Sequence, residues 1–236
     1  MAIVQDDAYK QQDWEKFAED ETRFGFIRKV YGILSVQLSI TAGFCLAAMY
    51  VEWIQKLVMS PALIVCVVVL YIVSICALLC CGLDRKVPVN YALLLVFTVC
   101  VSWLVATACV RVGVKNRVIV FEAAALTAAV VIGLTIYAIR TKNDFTCCGS
   151  VMYTLGMIFL TVGIISVCFG PTLRLLYCVL GVFLFSFYLV WDTQMIVGGK
   201  NKQCHRIEED SYILASVLLY LDIINLFLYI LEILRG

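Results

Sequence analysis

Seven long apolar runs, each bounded by charge or by a turn, leave this chain few ways to fold. They occupy residues 30–51, 57–83, 87–110, 118–139, 145–173, 175–197 and 211–234. A helix that spans a bilayer needs about 20 mostly apolar residues. Lipid offers the backbone no hydrogen bonds, so such runs must satisfy their own amides as helices. With 63% of its 236 residues hydrophobic and 15% charged, the chain carries more apolar surface than a soluble core of its size could enclose. The pattern predicts an all-α polytopic membrane protein, a seven-transmembrane-helix bundle. Gly170-Pro171 and Gly198-Gly199 read as helix stops. The longest connection, 198–210, leaves no room for an inserted soluble domain.

Ahead of the first run, residues 1–29 mix acids such as Asp6, Asp7, Glu19 and Asp20 with Lys10, Lys16, Arg23, Arg28 and Lys29. No apolar stretch follows a basic start, so a cleavable signal peptide is not expected. Residues 13–29 read as a short amphipathic helix with Trp14, Phe17, Phe24 and Ile27 on its apolar side, lying on the membrane surface or under the bundle. The domain organisation is thus an acidic N-terminal segment, 1–29, and a transmembrane domain, 30–236. With the N-terminus inside, the inner segments hold 12 Lys and Arg and the outer ones 6. That asymmetry predicts a cytosolic N-terminus and, after seven spans, a luminal or extracellular C-terminus. The loop with Arg111, Lys115 and Arg117 is the one dissenter.

A net charge of +1 gives no field that would attract nucleic acid. Most of the 12 cysteines lie inside apolar runs and read as small buried hydrophobes. The pairs Cys80-Cys81 and Cys147-Cys148 sit at span ends, where interfacial thiols and palmitoylation are the two readings. No Cys/His spacing suits zinc, and no phosphate-binding loop is present. His205, the sole histidine, reads as a solvated loop residue.

Charges inside the spans carry the functional information, because an ionised side chain at mid-helix costs at least about 2.5–3.5 kcal/mol. Glu122 lies one turn inside the fourth run, where it can snorkel or face an outer vestibule. Glu232 reads as an interfacial charge at the outer end of the last run. Asp192 lies about 8 Å from the inner end of the sixth run and Asp222 about 16 Å into the seventh, at roughly 1.5 Å per residue. The two helices are antiparallel neighbours, so tilt or offset brings both acids to one depth. Tyr188 is one turn before Asp192, and Asn225 shares a face with Asp222. Two carboxylates close together in low dielectric share a proton and titrate as a pair. A divalent hard cation such as Ca²⁺, held by Asp192 and Asp222, would compete with that proton. Arg85, at the inner end of the second run, is at a depth to neutralise them. A pH switch or cation gate and a purely structural polar pair stand level on spacing alone. Intramembrane aspartyl proteases share only the residue type: Val190-Trp191 precedes Asp192 and Tyr220-Leu221 precedes Asp222. No enzyme activity is expected, and no inverted repeat points to a secondary transporter.

Beyond spacing, Tyr220-Leu221-Asp222-Ile223-Ile224-Asn225-Leu226-Phe227 and Trp191-Asp192-Thr193-Gln194 resemble signatures of the transmembrane Bax inhibitor motif family, especially its Lifeguard branch. Thr141-Lys142-Asn143-Asp144-Phe145-Thr146, Phe121-Glu122-Ala123 and Glu208-Glu209-Asp210 are similar to Lifeguard sequence too. The likeness runs from about Arg28 to Gly236. It implies a seven-helix fold with the last helix central, a Ca²⁺ leak across endomembranes and a role in restraining cell death. It also implies that Asp192 and Asp222 are a pH-sensing dyad, that the dyad's arginine partner falls at or beside Arg85, and that the fourth-span glutamate is Glu122. No tightly bound cofactor is expected; Ca²⁺ is the transported or regulatory ion. The implied partners are membrane lipid, Ca²⁺ and other membrane proteins, and the implied location is the ER or Golgi. The alternative is a non-conducting structural or regulatory subunit that binds partner proteins.

Overall fold

The computed structural model describes residues 2–80, 88–113, 116–166, 171–198 and 207–235. Among these the regular structure is helical throughout. The helices are α1 (Ala2–Tyr50), α2 (Glu52–Val58), α3 (Pro61–Cys80), α4 (Val89–Gly113), α5 (Arg117–Arg140), α6 (Gly149–Ser166), α7 (Pro171–Val197) and α8 (Tyr212–Arg235). Short 3₁₀ turns, Thr146–Cys148 and Glu209–Ser211, lead into α6 and α8. Seven stretches are long and apolar enough to cross a bilayer: one in α1 (Glu21–Tyr50) and one in each of α3 to α8. The span count matches the reading of the apolar runs.

Three boundaries differ from that reading. Residues 13–29 are not a separate surface helix, because α1 continues unbroken from Ala2 into the first span. No proline lies between these residues and Tyr50, and Lys, Arg, Glu, Gln and Ala all favour helix. The change from charged to apolar sequence alters the solvent around the helix and not its backbone. The inward face also differs: Phe24 is 72% exposed, whereas Phe26, Val30 and Leu34 are buried at four-residue spacing. Trp14 and Phe17 have side chains outside those described. Secondly, Leu57 belongs to α2, because Pro61 opens α3, and proline suits a first helical turn. Thirdly, the run 145–173 splits between α6 and α7, which Pro171 opens in the same way.

α8 is the central helix, packing on α1, α4, α5 and α7. It and α4 are the most enclosed spans. By contrast α3, α5 and α6 present Val65, Val69, Ile136, Tyr153, Leu160 and Ile164 outward, the surface that lipid solvates. The α6–α7 contact is set by small residues, since glycine lets membrane helices approach closely. A Cβ at Gly156 would strike the Tyr188 hydroxyl, and one at Gly163 would lie 2.6 Å from the Tyr177 hydroxyl. These glycines are seven positions apart, so both seats lie on one face of α6. On α7, Gly181 accommodates the Tyr229 ring of α8 in the same manner.

Neutral polar side chains knit α1, α4 and α8 together inside the bundle. Gln37 Nε2 donates to Thr98 Oγ1 at 3.0 Å. Thr41 Oγ1 lies 2.9 Å from Ser102 Oγ and 2.7 Å from the Tyr220 hydroxyl. All five side chains are buried. Without such partners each would leave a polar group unsatisfied away from water.

Candidate functional site

Asp192 comes from the last turns of α7 and Asp222 from the middle of α8, and both are buried. The antiparallel packing of these helices brings the carboxyl groups within hydrogen-bonding reach of each other. The tilt or offset that the depth estimate required is therefore present. Oδ1 of Asp192 and Oδ2 of Asp222 are enclosed and have no hydrogen-bond partner among the described residues. Two carboxyl groups at such range, out of water, hold a proton between them more readily than two negative charges. The two spare oxygens suit a hard cation. Among the described residues no further His, Cys, Asp or Glu joins them as a metal-binding cluster. A cation there would draw its other ligands from backbone, hydroxyl or water oxygens.

The expected supporting residues fare differently. Arg85 lies outside the described residues. The Tyr188 hydroxyl donates to Met152 O on α6 at 2.8 Å, so it holds the helix pair and makes no bond to the acids. Asn225 turns its amide onto its own helix, donating to Leu221 O at 2.8 Å. Its shared face with Asp222 thus does not become a contact. Glu122 is solvent- or lipid-exposed in the second turn of α5. Glu232 forms an ion pair with Arg174 at 2.7 Å, between the start of α7 and the end of α8.

The residues around Asp192 each have a mechanical task. Trp191 Nε1 lies 3.5 Å from Thr146 O. Thr193 is fully buried, with Tyr31 of α1 beside it. Gln194 makes three bonds: Oε1 accepts from Phe145 N at 2.8 Å, and Nε2 donates to Asn143 O at 3.0 Å and Ala138 O at 3.3 Å. It staples the α5–α6 connection to α7. That connection is itself folded by Asp144, whose Oδ1 accepts from Thr146 N at 2.9 Å and Thr146 Oγ1 at 2.5 Å. The stretch 141–146 is therefore a turn built to seat on the aspartate helix. Nearby, Cys148 is a free, half-buried thiol and Cys147 is disulfide-bonded.

Arg23 is the residue that the sequence concealed. Nη2 donates to Met195 O at 2.6 Å and Nη1 to Ile207 O at 3.0 Å. One guanidinium thus ties α1 to the end of α7 and the approach to α8, just below Asp192. A cation there satisfies a carbonyl that the helix end leaves open. Gly198 completes that end with φ 83°, the left-handed turn that glycine adopts without strain.

With this geometry in place, comparison with known proteins is specific. Residues 23–236 match the family model described as inhibitor of apoptosis-promoting Bax1. Human protein lifeguard 3 is 32% identical over 233 residues, covering 96% of this chain and 72% of the relative. The BI1-like protein of Arabidopsis thaliana is 36% identical over 225 residues, covering 93% and 83%. Mouse protein lifeguard 4 is 34% identical over 217 residues, covering 91% and 86%. With a match that begins at Arg23 and takes in all seven spans, the chain belongs to the Bax inhibitor family, Lifeguard proteins included, as a multi-pass membrane protein.

Proposed function

We propose that the protein is a pH-sensitive Ca²⁺ leak of endomembranes, acting without covalent chemistry, and that it regulates calcium balance and cell death. Family membership supports the cell-death role, since the matched model is described as inhibitor of apoptosis-promoting Bax1. The observation that carries the conduction reading is the buried Asp192–Asp222 pair with one unpartnered oxygen on each acid. A shared proton holds α7 and α8 together. When the pair loses it, two negative charges face each other in low dielectric and repel. α8 then shifts and the oxygens become ligands for a divalent cation. By resemblance, an arginine at or beside Arg85 bonds the pair, and that pairing, like the shared proton, holds the pore closed. The excess of Lys and Arg on the segments next to the N-terminus supports a cytosolic N-terminus, which puts the pair on the cytosolic half of the membrane.

The test is Ca²⁺ flux into liposomes carrying the purified protein, measured across a pH series. Flux that rises with pH in the wild type and loses its pH dependence in Asp192→Asn plus Asp222→Asn is the expected result. Flux that keeps its pH dependence in the double variant would overturn the proposal. Reconstituted protein without flux, purified in a stoichiometric complex, would favour the non-conducting regulatory subunit.

A further inference from the structure

A groove lies against α8, away from the Asp192–Asp222 pair. It encloses about 540 Å³ between α1, α4, α5 and α8, within the range of small-molecule sites. Its floor is buried: Val105 and Cys109 of α4, with Ile223 and Ile224 of α8. Its rims are exposed: Ala42 of α1 faces Ala124 and Ala128 of α5, and these small side chains leave the groove open. The walls are apolar, with the sulfur atoms of Cys45, Met49 and Cys109 among them, apart from two hydroxyls already engaged. Thr127 donates to Ala123 O and Thr41 to Gln37 O. On α1 the groove extends from Leu38 to Met49, about 16 Å at roughly 1.5 Å per residue. That is the depth of one leaflet, half of a hydrocarbon core about 30 Å thick.

Beyond the buried Met49 side chain lies a smaller cavity of about 170 Å³, lined by Met49, Gln55, Val110, Gly113 and Arg117. Met49 lines both. The guanidinium of Arg117 is fixed over the Tyr50 ring, 4.8 Å from its centroid, a cation–π contact that bridges the ends of α1 and α5. The apolar groove and this small chamber are thus separated by one flexible Met49 side chain, and among its described lining residues the chamber holds one guanidinium and one amide.

We propose that this is a binding site for a long-chain fatty acid. The chain lies in the groove and the carboxylate meets Arg117, with Gln55 as a further donor. A guanidinium pairs with a carboxylate through two parallel hydrogen bonds. The slot takes one chain, and the chamber has room for a carboxylate and a few waters. A phospholipid, whose second chain would lie outside the open rims in the bilayer, is the competing occupant that the test separates. An occupied groove would brace α8 at Ile223 and Ile224, directly beside Asp222. The assignment stands independently of the conduction reading, because the test reads binding alone.

The experiment uses the full chain in nanodiscs and palmitic acid carrying a diazirine near its chain end, with labelled peptides mapped by mass spectrometry. Labelling should concentrate on residues 38–49 and 120–132 and be displaced by unlabelled palmitate. Ala124→Phe plus Ala128→Phe should reduce it about tenfold by filling the slot. Arg117→Gln should weaken palmitate several-fold and leave palmitate methyl ester unchanged. Ala125→Phe, on α5 but outside the groove lining, is the control and should leave labelling intact. Labelling spread equally over α3 and α6, or unaffected by the filled slot, would overturn the proposal. So would a diazirine phosphatidylcholine that labels the groove as strongly and resists palmitate.

Discussion

Replacing Gln194 tests whether the segment around Asp192 is held by the α5–α6 turn. Gln194→Ala removes three hydrogen bonds, to Phe145 N, Asn143 O and Ala138 O. An ordinary hydrogen bond contributes about 0.5–1.5 kcal/mol, and a buried group left unsatisfied costs about 1–3 kcal/mol. The Asn143 carbonyl lies next to an exposed loop and can find water, whereas Ala138 and the Gln194 side chain are buried. The expected loss is about 2–4 kcal/mol. The assay is amide hydrogen exchange at Phe145 in nanodiscs, alongside thermal unfolding. Because each 1.4 kcal/mol is a factor of ten, protection at Phe145 should fall roughly 30- to 1,000-fold. Gln194→Glu keeps the acceptor for Phe145 N and should recover part of that protection. Unchanged exchange at Phe145 in Gln194→Ala would refute the staple.

Three other substitutions probe the frame around the pair. Gly156→Ala drives a methyl into the Tyr188 hydroxyl and should cost about 1–3 kcal/mol in thermal or denaturant unfolding, with Tyr188→Phe restoring part of the loss. Tyr220→Phe removes the 2.7 Å contact with Thr41 and should cost about 1 kcal/mol, less than Thr41→Val, which removes the contacts to both Tyr220 and Ser102. Glu232→Gln breaks the Arg174 pair, but Arg174 is more than half exposed, so unfolding should shift by less than about 1 kcal/mol and less still in high salt.

What could be read from sequence follows from what lipid makes expensive. Charges end the apolar runs cleanly, so seven spans are legible, and two acids inside the last two runs stand out against the hydrocarbon. Their meeting is also legible, because consecutive antiparallel helices leave little choice of neighbour. Neutral polar residues carry no such flag. Gln37, Thr41, Thr98 and Ser102 look like tolerated substitutions within apolar runs, although Thr98 and Ser102 share a face at four-residue spacing. Side-chain direction is hidden as well: Asn225 and Tyr188 lie near the acids along the helices, yet bond to Leu221 and Met152. Arg23 was legible only as one charge among many in the N-terminal segment. Its partners are backbone carbonyls more than 170 positions away, which no local pattern encodes.

The central claim is that one proton, shared by Asp192 and Asp222, sets whether Ca²⁺ passes. The most direct measurement is infrared spectroscopy of the protonated-carboxyl stretch in reconstituted protein, titrated alongside Ca²⁺ flux in the same liposomes. A carboxyl band absent from Asp192→Asn plus Asp222→Asn, which disappears over the pH range where flux rises, is the predicted result. Flux that rises while that band persists unchanged would contradict the account.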